Sequence, residues 1–121
     1  MDRRVRSIVA LLDIEWREPV RVTELARQVG LGASRLEHLF KTHANTSIRD
    51  FVRERRLLEA AERLAASEER ISVISFGVGF GDVSNFNHAF KKRFGVSPRE
   101  YRDAKRNAPG AHEAEPQRTK Q

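Results

Sequence analysis

The chain of 121 residues has no cysteine, which excludes a disulfide framework, a thiolate zinc site and a cysteine redox couple. It also lacks any apolar run near the roughly eighteen residues of a membrane span. The opening Met1-Asp2-Arg3-Arg4 leads into an amphipathic segment with no small-residue cleavage site, so no signal peptide is expected. The histidines His38, His43, His88 and His112 lack the i, i+4 spacing of a metal pair, and no nucleophile elbow is present. Neither a metal, another cofactor nor catalysis is therefore expected. What the chain does have is charge. Charged residues make up 33%, the net charge is +6, and the sequence pI is about 10.5, a balance that favours a polyanionic partner. An apolar fraction of 39% supports a modest core, enough for one domain or two small subdomains.

Val5, Ile8, Val9 and Leu12 stand at i, i+3, i+4 and i+7, which predicts an amphipathic helix over 4–16 with Leu11 and Trp16 completing its packing. Trp16, at the end of that stripe, reads as core rather than as a base-stacking side chain. Pro19 ends the segment. A short helix over 22–29 turns Val22, Leu25, Ala26 and Val29 inward; Arg21 is a poor N-cap for it, and Gly30 suits the left-handed residue past its end. A third helix over 33–43 closes on Asn45. Ser47-Ile48-Arg49-Asp50 resembles a capping box with Asp where Glu is preferred. It opens a long helix over 48–66 with a drifting stripe of Ile48, Phe51, Val52, Leu58, Ala61, Leu64 and Ala65. After a polar break at 67–70, Ser72 starts a short helix to Val78, and Asp82 starts another to Phe94. Ser97-Pro98-Arg99-Glu100 opens the last, with serine at the N-cap, proline at the first helical position and glutamate at N3. Residues 107–121 lose apolar periodicity and are expected to form a disordered polar tail. No segment reads as a strand, so the fold class is all-α.

The chain repeats itself. Setting Leu25-Ala26 against Ile74-Ser75 also aligns Val29-Gly30-Leu31-Gly32 with Val78-Gly79-Phe80-Gly81. With one extra residue in the second turn, Leu36 meets Phe86, His38 meets His88, Phe40-Lys41 meets Phe90-Lys91, Asn45 meets Gly95, Ser47 meets Ser97, and Phe51 meets Tyr101. Each copy is helix, glycine turn, helix, the outline of a helix-turn-helix. In the second helix of each copy, Leu36, Leu39 and Phe40, or Phe86, Ala89 and Phe90, point one way. Ser34, Glu37, His38 and Lys41, or Ser84, Asn87, His88 and Lys91, point the other. Such short hydrogen-bonding groups suit base edges: Glu accepts from cytosine N4, and Asn pairs with adenine. One such helix would read as an ordinary solvated face; two at matching positions favour reading of DNA. Two readers can share one face of B-DNA only about one turn, roughly 34 Å, apart. A connecting helix of about 19 residues, at about 1.5 Å each, is about 28 Å long and suits that spacing.

These residues resemble the DNA-binding domain of AraC/XylS-type bacterial transcription regulators, over about 80 residues from Val20 to Arg102. The resemblance rests on Leu25-Ala26, Val29-Gly30-Leu31, Leu36, Phe40-Lys41, Arg56-Leu57, Ala60 and Leu64. It is closer in the second half: Ile71, Ile74, Val78-Gly79-Phe80, Asp82, Ser84, Phe86, Phe90-Lys91-Lys92, Phe94-Gly95, Ser97-Pro98 and Glu100-Tyr101-Arg102. It implies seven helices and a domain over 4–106, with helix-turn-helix subdomains at 4–46 and 67–106 joined by a linker helix at 47–66. The recognition helices would be 33–43 and 82–94, laid in successive major grooves. The implied partners are double-stranded promoter DNA, RNA polymerase, and a sensor or dimerisation domain absent from this chain. The implied setting is the bacterial cytoplasm, at the nucleoid, with no membrane.

Carried over residue by residue, the base-facing positions fall on Ser34, Glu37 and His38, then on Val83, Ser84, Asn87 and His88. Arg35 reaches a base or a phosphate. The phosphate-contact candidates are Lys41, Lys91, Lys92, Arg99 and Arg102, assisted by backbone amides at helix starts. This chain departs from the family pattern in Arg21 for a small cap, Asn45 for glycine, Ser75 for alanine, and His88 where arginine is frequent. The last departure makes the second reader the weaker in base readout, with Lys91-Lys92-Arg93 anchoring it electrostatically. The competing reading is a basic helical protein-interaction module without specific DNA readout. Salt separates the two, since a DNA binder loses affinity steeply as salt rises. Docking of the N-terminal helix on a membrane surface is disfavoured, because its polar face lacks a dense Lys/Arg stripe.

Overall fold

The computed structural model describes residues 1–108; the expected tail from 109 onward lies outside them. Seven helices follow in order: α1 (Arg3–Glu15), α2 (Val22–Gln28), α3 (Ala33–Ala44), α4 (Ile48–Ala66), α5 (Ile71–Gly77), α6 (Val83–Phe94) and α7 (Pro98–Asn107). No strand occurs among the described residues. Two expected boundaries are corrected. Asn107, assigned to the tail, is the last residue of α7. Ser72 does not cap α5, which starts at Ile71 with Arg70 at an N-cap that makes no side-chain bond.

The chain divides inside α4 into two compact units, Met1–Arg56 and a second that begins at Leu57. In the first unit α3 packs on α1 and α2, burying Val5, Ile8, Leu12, Leu25, Ala26, Leu36, Phe40, Ile48 and Val52. Trp16 is 8% exposed and belongs to this core. In the second unit α6 packs on α5 and α7, burying Leu57, Ala60, Leu64, Ile74, Val78, Phe86 and Phe90. Aromatic contacts repeat in register: Phe40 meets Phe51 edge-on at 5.7 Å, and Phe90 meets Tyr101 edge-on at 5.4 Å. The second unit adds Phe80, Phe86 and Phe94 to that cluster.

Helix α4 therefore closes one unit and opens the next, which corrects its apolar stripe. Leu58 is 41% exposed and Ala65 is exposed, while Leu57 and Ala60 are buried. At about 100° per residue, Leu57 lies about 180° around the helix from Ile48, so the buried side of α4 changes midway. Arginines tie the closing helix of each unit to the end of its opening helix. Arg56 donates from Nε to the Trp16 carbonyl at 2.8 Å and from Nη2 to the Glu18 carbonyl at 2.9 Å, beyond the end of α1. Burial lowers the pKa of Arg56. Arg106, fifty positions later, donates to the Ser67 carbonyl at 3.0 Å, beyond the end of α4. Both arginines complement the carbonyl-rich end of a helix.

The turns ahead of the outward helices close alike. Gly30 (φ 75°) and Gly79 (φ 103°) take the left-handed conformation. The amides of Leu31 and Phe80 reach back to the carbonyls of Ala26 at 2.9 Å and Ser75 at 3.0 Å. The glycine amides bond Arg27 and Phe76, each at 3.1 Å. Both are Schellman closures, in which the positive φ favours glycine.

Candidate nucleic-acid interface

Helices α3 and α6 are each 12 residues long and repeat each other position by position. From 33 to 45 and from 83 to 95 the order of buried, half-buried and exposed residues is the same. Each ends in a left-handed residue, Asn45 (φ 61°) or Gly95 (φ 84°), whose amide bonds the carbonyl of Lys41 at 2.9 Å or Lys91 at 2.7 Å. Leu36 and Phe40, or Phe86 and Phe90, are fully buried, which fixes the rotation of each helix on its unit. The opposite side of each is consequently forced into solvent.

On α3 that side carries Ser34, Arg35, Glu37, His38 and Lys41, all exposed. Glu37, His38 and Lys41 line a shallow open groove with Thr42 and Ser47. On α6 it carries Ser84, Asn87, His88, Lys91 and Lys92, all exposed. Val83, in the first turn, is only half exposed. Among the described residues, the side chains of Ser34, Arg35, Glu37, His38, Ser84, Asn87 and His88 have no hydrogen-bonding or ion-pairing partner. Hydrogen-bonding groups held on a rigid face and left unpaired are the arrangement that base-edge contacts require.

The two helices start differently. Asp82 accepts the Asn85 amide on Oδ1 at 3.0 Å and places a carboxylate at the N-terminus of α6. Gly32 gives α3 no side-chain cap, so its first-turn amides stay open to an anion. The last turns differ in charge: Lys41 and His43 on α3, against Lys91, Lys92 and Arg93 on α6. Arg99 is exposed in the first turn of α7. The same turn holds a complete capping box, in which the Glu100 amide donates to Ser97 Oγ at 3.1 Å and the Ser97 amide donates to Glu100 Oε1 at 2.8 Å. The Ser97 amide holds the Glu100 pKa below its usual value, with the Lys91 charge adding to the effect.

One expected phosphate contact has a partner inside the fold. Arg102 is half-buried, and its Nε donates to the Leu64 carbonyl at 3.0 Å, near the end of α4. Its Nη2 is buried with no protein partner. A guanidinium held this way is a brace between α7 and α4. Two residues outside the expected set share the outward faces. Asn85 is exposed at the position matching Arg35, and Thr42 is exposed at the position matching Lys92. Applying the fifty-residue register to every outward position would have found both.

Two units of this form define a double helix-turn-helix DNA-binding protein. A family described as "Helix-turn-helix domain" matches residues 25–104, from α2 to α7. Regulatory protein SoxS of Escherichia coli is 28% identical over 98 residues, covering 81% of this chain and 92% of SoxS. The raffinose operon transcriptional regulatory protein RafR of Pediococcus pentosaceus is 36% identical over 94 residues, 78% of this chain and 34% of RafR. A solved transcriptional regulator of Chromobacterium violaceum, with an AraC-type DNA-binding domain, superposes with a TM-score of 0.74 at 28% identity, covering 84% of this chain and 90% of that one. The chain belongs to the AraC/XylS family of helix-turn-helix transcription regulators, and its function is sequence-specific DNA binding for transcription regulation.

Proposed function

We propose that α3 and α6 each enter a major groove of promoter DNA and read one half-site apiece, as the family's function requires. The observation that carries this is the matched pair of outward faces, whose polar side chains have no use inside the fold. Ser34, Glu37 and His38 contact base edges from the first unit, with Arg35 on a base or a phosphate. Ser84, Asn87 and His88 do so from the second, with Val83 making an apolar contact at the helix start. Lys41, Lys91, Lys92 and Arg99 hold phosphates, helped by the open amides of α3; Arg102 leaves this set because its guanidinium is committed to Leu64. Phosphate contacts fix register, and base contacts carry sequence.

RNA polymerase and a separate sensor or dimerisation domain are the further partners of this reading, in the bacterial cytoplasm. Support for a protein contact comes from α5, where Val73 is 49% and Phe76 56% exposed. The matching positions on α2 carry the Glu24–Arg27 ion pair, so the scaffold itself does not demand apolar residues there. The test is a selection from randomised duplexes with the wild type and three variants. Glu37→Ala and Asn87→Ala should each alter base preference, at separate half-sites, whereas Lys91→Ala should weaken all sequences alike. Unchanged preference in both reader variants would overturn the assignment of faces.

A further inference from the structure

The outward faces of α3 and α6 are alike in place and only partly alike in chemistry. Any residue of α3 and the residue fifty positions later on α6 stand at equivalent points of the same local scaffold. Helix length, buried positions and C-terminal closure all agree. At those equivalent points Ser34 and Ser84 are the same residue, as are His38 and His88, and Lys41 and Lys91. Between the serine and the histidine two exposed pairs differ, Arg35 against Asn85 and, next to the histidine, Glu37 against Asn87. All six are exposed, together with Glu37 and Asn87 themselves.

Identical side chains at equivalent positions, with an identical lysine in each last turn to set the helix on the phosphates, present the same groups to the DNA. A serine hydroxyl and an imidazole, each with a donor and an acceptor, then meet like bases in both grooves. The pair Glu37 and Asn87 cannot do so. A glutamate carboxylate only accepts, which suits the cytosine N4 amino group. An asparagine amide both donates and accepts, which suits adenine N6 and N7.

We infer that the DNA target is two versions of one short word. The half-sites share the bases met by Ser34 and Ser84 and by His38 and His88, and differ where Glu37 selects cytosine and Asn87 selects adenine. This rests on the reading that α3 and α6 contact bases. It makes residues 37 and 87 the specificity-determining difference between the two units. Arg35 and Asn85, also exposed and unlike, add a second difference nearer the helix starts.

The test compares the wild-type chain with Glu37→Asn and Asn87→Glu in selection from randomised duplexes, followed by competition between duplexes that differ at one base pair. The wild type should recover two half-sites that agree at two positions and carry cytosine in one and adenine in the other between them. Glu37→Asn should turn the first half-site's cytosine preference into adenine and leave the second unchanged; Asn87→Glu should do the reverse. Each change should be about tenfold or more, the size of one bidentate base contact. Half-sites with no common base would overturn the inference, as would swaps that leave that position unchanged. The wild-type comparison needs no variant to fold, and wild-type melting temperatures establish that the variants do. Failure of the wild type to enrich any sequence has a different meaning, because it removes base reading itself.

Discussion

Ser75 is fully buried, and its hydroxyl has no protein partner. Its counterpart in the first unit is Ala26, also buried. An unpaired buried hydroxyl costs about 1–3 kcal/mol, so Ser75→Ala should stabilise the protein by about 1 kcal/mol, because deleting one oxygen opens little space. A thermal melt should rise by about 4–8 °C on that account for a domain of this size. A fall would show that the hydroxyl is satisfied in solution. Arg102 supports the opposite experiment. As a brace on the Leu64 carbonyl, its replacement in Arg102→Met should lower stability by about 1–2 kcal/mol. The salt dependence of DNA binding by the folded fraction should stay the same. A phosphate ligand would instead leave the melt nearly unchanged and reduce the magnitude of the salt slope by about 0.9.

Helix ends and faces show how far sequence patterning reaches. The start of α7 was legible in full, because Ser97, Pro98 and Glu100 each act locally and each found its expected role. Ser47 delivered only half of its box: the Asp50 amide bonds Ser47 Oγ at 3.0 Å, but the shorter Asp50 carboxylate pairs with Arg53. The Glu100 bonds make a pH prediction. Its pKa is depressed in the fold, so the cap contributes stability fully above the ordinary glutamate pKa and loses it as pH falls through the folded value. Glu100→Gln keeps an acceptor for the Ser97 amide without a titrating charge. It should therefore flatten the acid side of the melting-temperature profile; an unchanged profile would mean that the acid loss arises elsewhere. Helix α4 was legible in extent and misleading in face, because one periodic stripe was read where two units each bury a different side. The same limit explains Arg102. A residue within a motif gives no sign of which partner its guanidinium finds, since that partner lies 38 positions away. The two outward polar faces were legible because a repeat supplies its own control: positions that stay polar in both copies, and are exposed in both, are not an accident of one helix.

Across the whole chain, the excess of positive charge divides into an internal and an external share. Arg4, Arg27, Arg53, Arg55, Arg63 and Arg106 each pair with an Asp or Glu of the fold. Lys41, Lys91, Lys92 and Arg99 make no such pair among the described residues and are exposed. Three of these lie at the last turns of α3 and α6 and one at the first turn of α7, beside the proposed groove contacts. Exposed Arg3, Arg17, Arg49 and Arg70 are also without an ion pair among the described residues, but they lie on other helices or turns. Each phosphate neutralised contributes about 0.9 to the steepness of log K against log salt, which gives a slope of about −3.6 for four contacts. Affinity should then fall on the order of a hundredfold between 50 and 200 mM salt. Removing Lys91 and Lys92 together should bring the slope to about −1.8 and weaken specific and random duplexes alike. Removing Arg53, an internally paired arginine, should leave it near −3.6. A slope that responds equally to both changes would mean that DNA senses only the net charge of +6. The separation of internal from external cations would then have no part in binding.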